Sequence, residues 1–216
     1  NQRRRLNQVE MKTVRSYDLE AEMQFQTEPP PEPFEEMEWA RSLMGPDPLV
    51  LDVGCGHGRI IPCLRELGIT RYVGIDPSAD MISIARREYS DASFDAGFEQ
   101  MDLYSLPERF PAGYFDVFLA LITLSHVPAD KMRFALSSIR KVIREGGVGF
   151  LTFHNVDKTF RMANRELKSW DYSGPVATMT GWPPKKIWPL LCEVGLLPLD
   201  RIYERETMEG MARKLG

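Results

Sequence analysis

The chain has 216 residues, 27 Lys and Arg against 31 Asp and Glu for a net charge of −4, and is 43% hydrophobic. That balance fits one globular α/β domain with a large core and argues against a general binder of nucleic acid or of anionic membrane. The longest apolar run, Val117 to Leu124, is too short to span a bilayer, and no charged-then-apolar leader opens the chain, so a cytoplasmic protein is expected. Cys55, Cys63 and Cys192 lack close ligand spacing and read as reduced thiols, with no metal site.

In chain order, residues 1–26 are polar and helix-permissive, the first ten reading as a frayed, solvated leader. From there Val14, Tyr17, Leu19, Met23 and Phe25 fit one helical face. The run Glu28 to Pro33 breaks the helix. Phe34 to Met44 resumes helical spacing until Gly45-Pro46-Asp47-Pro48 stops it. Leu49 to Val53 is apolar on both faces save Asp52, the pattern of a buried parallel strand, and runs into Gly54, Gly56 and Gly58. A helix from Arg59 to about Leu67, stopped by Gly68, points its N-terminus at that turn. Tyr72 to Ile75 is the second strand, ending in Asp76; Asp76-Pro77-Ser78 caps a helix bearing Met81, Ile82 and Ala85.

The third strand spans Phe98 to Leu103 and closes on Asp102. Tyr114 to Ala120 is nearly all apolar and so central, which brings Leu121 to Val127 to the mouth of a ligand crevice. Leu124 to Pro128 opens a helix from Ala129 to Arg144, closed by Glu145-Gly146-Gly147 before a fifth strand, Val148 to Phe153. His154 to Pro184 is too broken for a core element, yet carries Phe160, Trp170, Tyr172 and Trp182, which suits a functional insertion. A helix from Pro184 to Val194, stopped by Gly195, precedes an apolar–polar pair, Leu196 to Glu204 and Thr207 to Arg213, that reads as two strands.

The glycine turn differs from the dinucleotide fingerprint G-x-G-x-x-G. Its acid, Asp52, precedes the first glycine by two residues; it would repel a pyrophosphate and suits a ligand carrying an ammonium group. Asp76, about twenty residues past the turn, stands where a carboxylate accepts from both ribose hydroxyls. The same residue also suits a plain helix cap, and Asp102 a plain turn acid.

Asp52-x-Gly54-x-Gly56-x-Gly58, followed by Asp76, Asp102, Leu106-Pro107 and Glu145-Gly146-Gly147, resembles the small-molecule class I S-adenosylmethionine-dependent methyltransferases over Leu49 to Phe153. The resemblance implies a three-layer α-β-α sandwich. Its sheet is Rossmann-like, doubly wound and mostly parallel, with seven strands and an antiparallel C-terminal edge. Residues 1–33 would be a leader and cap over the cofactor, and 34–216 one domain with a substrate-side insertion at 154–184. The cofactor is S-adenosyl-L-methionine, leaving as S-adenosyl-L-homocysteine. Its site would be Tyr17, Asp52, Gly54, Cys55, Gly56, Gly58, Arg59, Asp76, Pro77, Met81, Asp102, Leu103 and Leu121, with Asp102 and Leu103 at the adenine and Tyr17 folding over the cofactor. Tyr17 equally suits packing along an amphipathic helix.

Methyl transfer needs alignment above all, so a base is optional. His126 is the leading candidate, against a backbone-bonded loop histidine; His154 is a second, and His57 a loop-shaping or solvent-facing residue. The expected acceptor is an oxygen or nitrogen of a small organic molecule, and the protein a monomer or homodimer. A non-catalytic binder of the same fold and a nicotinamide-dependent oxidoreductase are the alternatives, the latter disfavoured by Asp52.

Overall fold

The computed structural model describes residues 6–27, 35–89, 94–153, 167–168, 178–179, 182 and 184–198. Helices α1 (Gln8–Thr27) and α2 (Glu35–Arg41) precede a sheet of five strands: β1 (Leu49–Val53), β2 (Arg71–Asp76), β3 (Asp95–Gln100), β4 (Phe115–Ala120) and β5 (Ile143–Leu151). Their order is β3-β2-β1-β4-β5 and every pairing is parallel. Helices α3 (Ile61–Glu66), α4 (Ala79–Glu88), the short α5 (Leu106–Arg109) and α6 (Met132–Val142) connect the strands.

Alternation along β1 divides the interior in two. Leu49, Leu51 and Val53 join a core with Leu136 and Ile139 of α6, whereas Val50 joins Met37 of α2, Ile61 and Leu64 of α3 and Ile82 of α4. Helices therefore cover both faces, giving the expected three layers. No helix among the described residues is long and apolar enough to cross a membrane.

Several expected boundaries shift. Strand β3 begins at Asp95 and ends at Gln100, so Asp102 lies beyond it. Helix α6 runs directly into β5 at Ile143, and Glu145-Gly146-Gly147 sits inside that strand where its register with β4 slips, instead of closing the helix. Among the described residues the sheet has five strands and not seven. A separate antiparallel pair, β6 (Leu167–Lys168) with β7 (Thr178–Met179), lies within the expected insertion. Most of the expected C-terminal strand pair, with His154, Phe160, Trp170 and Tyr172, falls outside the described residues. Helix α7 (Pro184–Glu193) ends at Gly195, which has a φ of 81°.

The N-terminal segment departs furthest from expectation. Asn7 caps α1: its Oδ1 accepts from the N–H groups of Val9 and Glu10, both at 2.9 Å, while Glu10 Oε2 accepts from Asn7 N–H at 2.7 Å. Glu10 is buried, so residues 7–10 are no frayed leader. The buried side of α1 carries Glu10, Thr13, Ser16 and Ala21; Leu19 and Met23, expected on the inner face, are 71% and 50% exposed.

Candidate active site

The winding reverses between β1 and β4, so the loops leaving these strands part around a crevice. The turn after β1 is held by its neighbour: Gly54 and Cys55 N–H both donate to Ile75 O, at 2.7 and 3.0 Å, and Gly56 N–H donates to Asp76 Oδ2 at 3.0 Å. Gly54 has a φ of 74°, and a Cβ there would fall 2.2 Å from Thr123 Oγ1. Glycine thus lets the loop after β4 close on the loop after β1, where Thr123 Oγ1 donates to Leu121 O at 3.1 Å. At Gly56, φ 53°, a Cβ would meet only Met81 Sδ at 3.8 Å, which leaves room for a ligand against the main chain.

Two acids flank this turn. Asp52 is buried on β1 and accepts from the Tyr72 hydroxyl at 2.7 Å. Burial pushes its carboxyl up to about 7, Tyr72 opposing and the neighbouring Asp76 adding to the rise. Asp76 is pushed up to about 6 by burial, against the lowering effect of N–H bonds from Ser78, at 2.8 Å to Oδ1, and from Gly56. No lysine or arginine among the described residues counters either charge. The helix cap itself is Ser78, whose Oγ accepts from Met81 N–H at 3.1 Å.

Asp102 caps a 3-10 turn, Leu103–Ser105. Its Oδ1 accepts from Tyr104 N–H, Ser105 N–H and Ser105 Oγ at 3.0, 3.1 and 3.1 Å. The turn-acid geometry is therefore present at Oδ1. Leu103 is buried, Leu121 and Arg59 half-buried, and Pro77 sits between Asp76 and the cap. His57 is buried edge-on against Phe25, ring centroids 5.5 Å apart, and not exposed to solvent.

Helix α1 lies across the crevice. The Tyr17 hydroxyl is 2.9 Å from His126 Nε2, with the rings edge-on at 5.5 Å, and His126 ends a second 3-10 turn, Leu124–His126, after β4. Asp18 Oδ1 accepts from Ser78 Oγ at 2.6 Å. Met81 packs in one cluster with Ala21, Tyr17 and Phe25. Strand β7 runs beside α1 and the His126 turn.

Sequence reasoning missed three residues here. Glu10 accepts from the Tyr104 hydroxyl and from Lys131 Nζ, the latter at 2.5 Å, with both charged side chains at most 6% exposed. Asn7-x-x-Glu10 is a capping-box signature that could have fixed the start of α1, but nothing in the sequence pairs Glu10 with Lys131. The third is Ile122, whose φ is 63°.

A parallel sheet whose winding reverses at a glycine turn flanked by two strand-end acids defines a nucleoside-binding α/β domain. Residues 50–147 match the family described as "Methyltransferase domain", and the chain has the fold of solved S-adenosylmethionine-dependent methyltransferases. The ubiquinone biosynthesis O-methyltransferase of Idiomarina loihiensis is 31% identical over 138 residues, covering 63% of this chain and 51% of that protein. The mRNA cap guanine-N(7) methyltransferase of Schizosaccharomyces pombe is 30% identical over 152 residues, covering 65% and 42%. The chain thus spans about half the length of these relatives. Among solved structures, a SAM-dependent methyltransferase from Methanosarcina mazei shares the fold, with a TM-score of 0.63 at 20% identity over 76% of this chain and 84% of that one.

Proposed function

We propose that this chain is an S-adenosylmethionine-dependent methyltransferase acting in the cytoplasm on an oxygen or nitrogen of a small organic molecule, as a monomer or homodimer. The observation that carries the reading is the pair of acids, Asp52 buried and Asp76 half-buried, with no lysine or arginine countering them among the described residues, around a turn open at Gly56. A ligand with an ammonium group and a ribose fits that donor and acceptor set, and a pyrophosphate does not. When bound, S-adenosylmethionine supplies a methyl carbon on a sulfonium sulfur, and attack by an acceptor lone pair breaks that C–S bond and leaves the thioether.

The chain's own residues then have distinct tasks. Asp76 accepts from the ribose hydroxyls while fixing Gly56, and Asp52 faces the ammonium group of the amino-acid end. Gly54, Cys55, Gly58 and Arg59 shape the turn around that end, Pro77 and Met81 line the ribose side, and Leu121 closes the crevice from β4. Asp102, with Oδ1 committed to its own turn, offers Oδ2 to the adenine amino group beside Leu103. With His126 Nε2 unprotonated, the Tyr17 hydroxyl donates to it. An acceptor hydroxyl reaching the Tyr17 oxygen passes its proton there while the Tyr17 proton moves to His126, so the acceptor is deprotonated as its lone pair attacks. His154 remains a second candidate on the acceptor side.

The relatives are named for different chemistry, O-methylation in ubiquinone biosynthesis and guanine-N(7) methylation of an mRNA cap. The net charge of −4 and an α1 helix lying over the crevice favour the small molecule. Titration with S-adenosylhomocysteine tests the cofactor assignment. Asp76→Ala should weaken binding by about 1.5–3 kcal/mol; unchanged affinity would refute the ribose role. A labelled-methyl screen over small phenols, amines and carboxylates tests turnover. Tight cofactor binding with no acceptor found would favour the non-catalytic binder.

A further inference from the structure

We infer that Ile122 selects the acceptor, its aliphatic side chain being the wall against which the carbon skeleton of a hydroxylated aromatic lies. This rests on the methyl-transfer reading above. Ile122 is the one non-glycine residue among those described with a positive φ, 63°. A β-branched side chain is badly suited to that backbone conformation; glycine or asparagine would adopt it with less strain.

The strained turn is nevertheless held from several sides. Ile122 N–H donates to Thr152 Oγ1 at 2.5 Å, and Ser125 Oγ donates to Ile122 O at 2.6 Å. Next to it, Thr123 Oγ1 donates to Leu121 O at 3.1 Å and lies 3.4 Å from Gly54 O. Hydroxyls from the end of β5, from the His126 turn and from the residue beside Ile122 thus fix one unfavourable conformation. Strain maintained in this way clusters at active sites and ligand clamps.

What the conformation achieves is direction. The residues just before it, Leu119 and Ala120, are buried in the sheet, whereas Ile122 is 36% exposed at the C-terminal end of β4. It lies one turn ahead of His126, whose N–H donates to Thr123 O at 3.0 Å. Ile122 is thus an exposed apolar residue at the carboxyl end of β4, the edge where open α/β sheets bind ligands, and four residues before His126; the favoured acceptor accordingly has an apolar face next to its reacting hydroxyl.

The test compares wild type, Ile122→Gly and Ile122→Val. Three quantities are read: the thermal midpoint, the S-adenosylhomocysteine Kd by calorimetry, and the Kd of 4-tert-butylphenol for the protein saturated with S-adenosylhomocysteine. Ile122→Gly should raise the midpoint, leave the S-adenosylhomocysteine Kd within about twofold, and weaken the phenol about tenfold or more. Ile122→Val should keep phenol binding close to wild type. Equal phenol binding by Ile122→Gly, a lower midpoint for that variant, or no phenol binding by the loaded wild type overturns the assignment. Failure of the wild type to bind S-adenosylhomocysteine would instead strike the methyl-transfer reading on which it rests.

Discussion

Replacing Asp52 with Asn separates the charge of a buried acid from its shape. In the unfolded chain the carboxyl ionises near its ordinary value of about 4, and in the folded protein burial raises that value to about 7. Between these pH values the folded state holds a proton that the unfolded state has lost. Raising the pH through this window therefore favours unfolding, and the loss levels off above pH 7. A rise from about 4 to about 7 corresponds to roughly 4 kcal/mol of stability given up by pH 8. Asparagine has no charge to desolvate, and its Oδ1 keeps an acceptor for the Tyr72 hydroxyl. Asp52→Asn should accordingly be more stable than wild type at pH 8, by up to about 4 kcal/mol, with the gap closing towards pH 4.5. Urea unfolding at pH 4.5, 6 and 8 reads this directly. A constant difference across that range, or a variant less stable at pH 8, would refute the reasoning.

Lys131→Met leaves Glu10 buried without its cation and should cost about 3–5 kcal/mol in urea unfolding; a loss under 1 kcal/mol would mean the ion pair is not fixed as seen. His126→Ala should lower kcat while leaving S-adenosylhomocysteine affinity within about twofold, and full turnover at every pH would remove it as the base. Tyr17→Phe should lower kcat in the same assay, since it takes away the hydroxyl 2.9 Å from His126 Nε2.

The sheet and the glycine turn were legible because their signals are local. Leu49 to Val53 reads as a strand covered on both faces, and the spacing from Gly54 to Asp76 suits the two adjacent parallel strands observed. Boundaries failed where tertiary contacts override local pattern. Gly146 and Gly147 look like a helix stop, yet pairing with β4 carries β5 back through them to Ile143. Helix α1 failed for a related reason. Apolar periodicity chose Leu19 and Met23, but this helix docks largely through polar groups: Glu10 on Lys131 and Tyr104, Tyr17 on His126, and Asp18 on Ser78. Such pairings join residues about 60 to 120 positions apart and leave no period to read. The backbone of Ile122 was illegible because glycine, the usual marker of that conformation, is absent there.

The most direct measurement is calorimetric titration of S-adenosylhomocysteine into the full chain at pH 6.5, repeated in buffers of different ionisation enthalpy. Burial pushes the Asp52 carboxyl up to about 7, so an ammonium group placed beside it should expel protons at that pH. One-site binding with net proton release, the release diminished in Asp52→Asn, is the predicted result. No binding at millimolar ligand, or binding with no proton released, would contradict a nucleoside whose ammonium group is seated beside Asp52 and whose ribose meets Asp76.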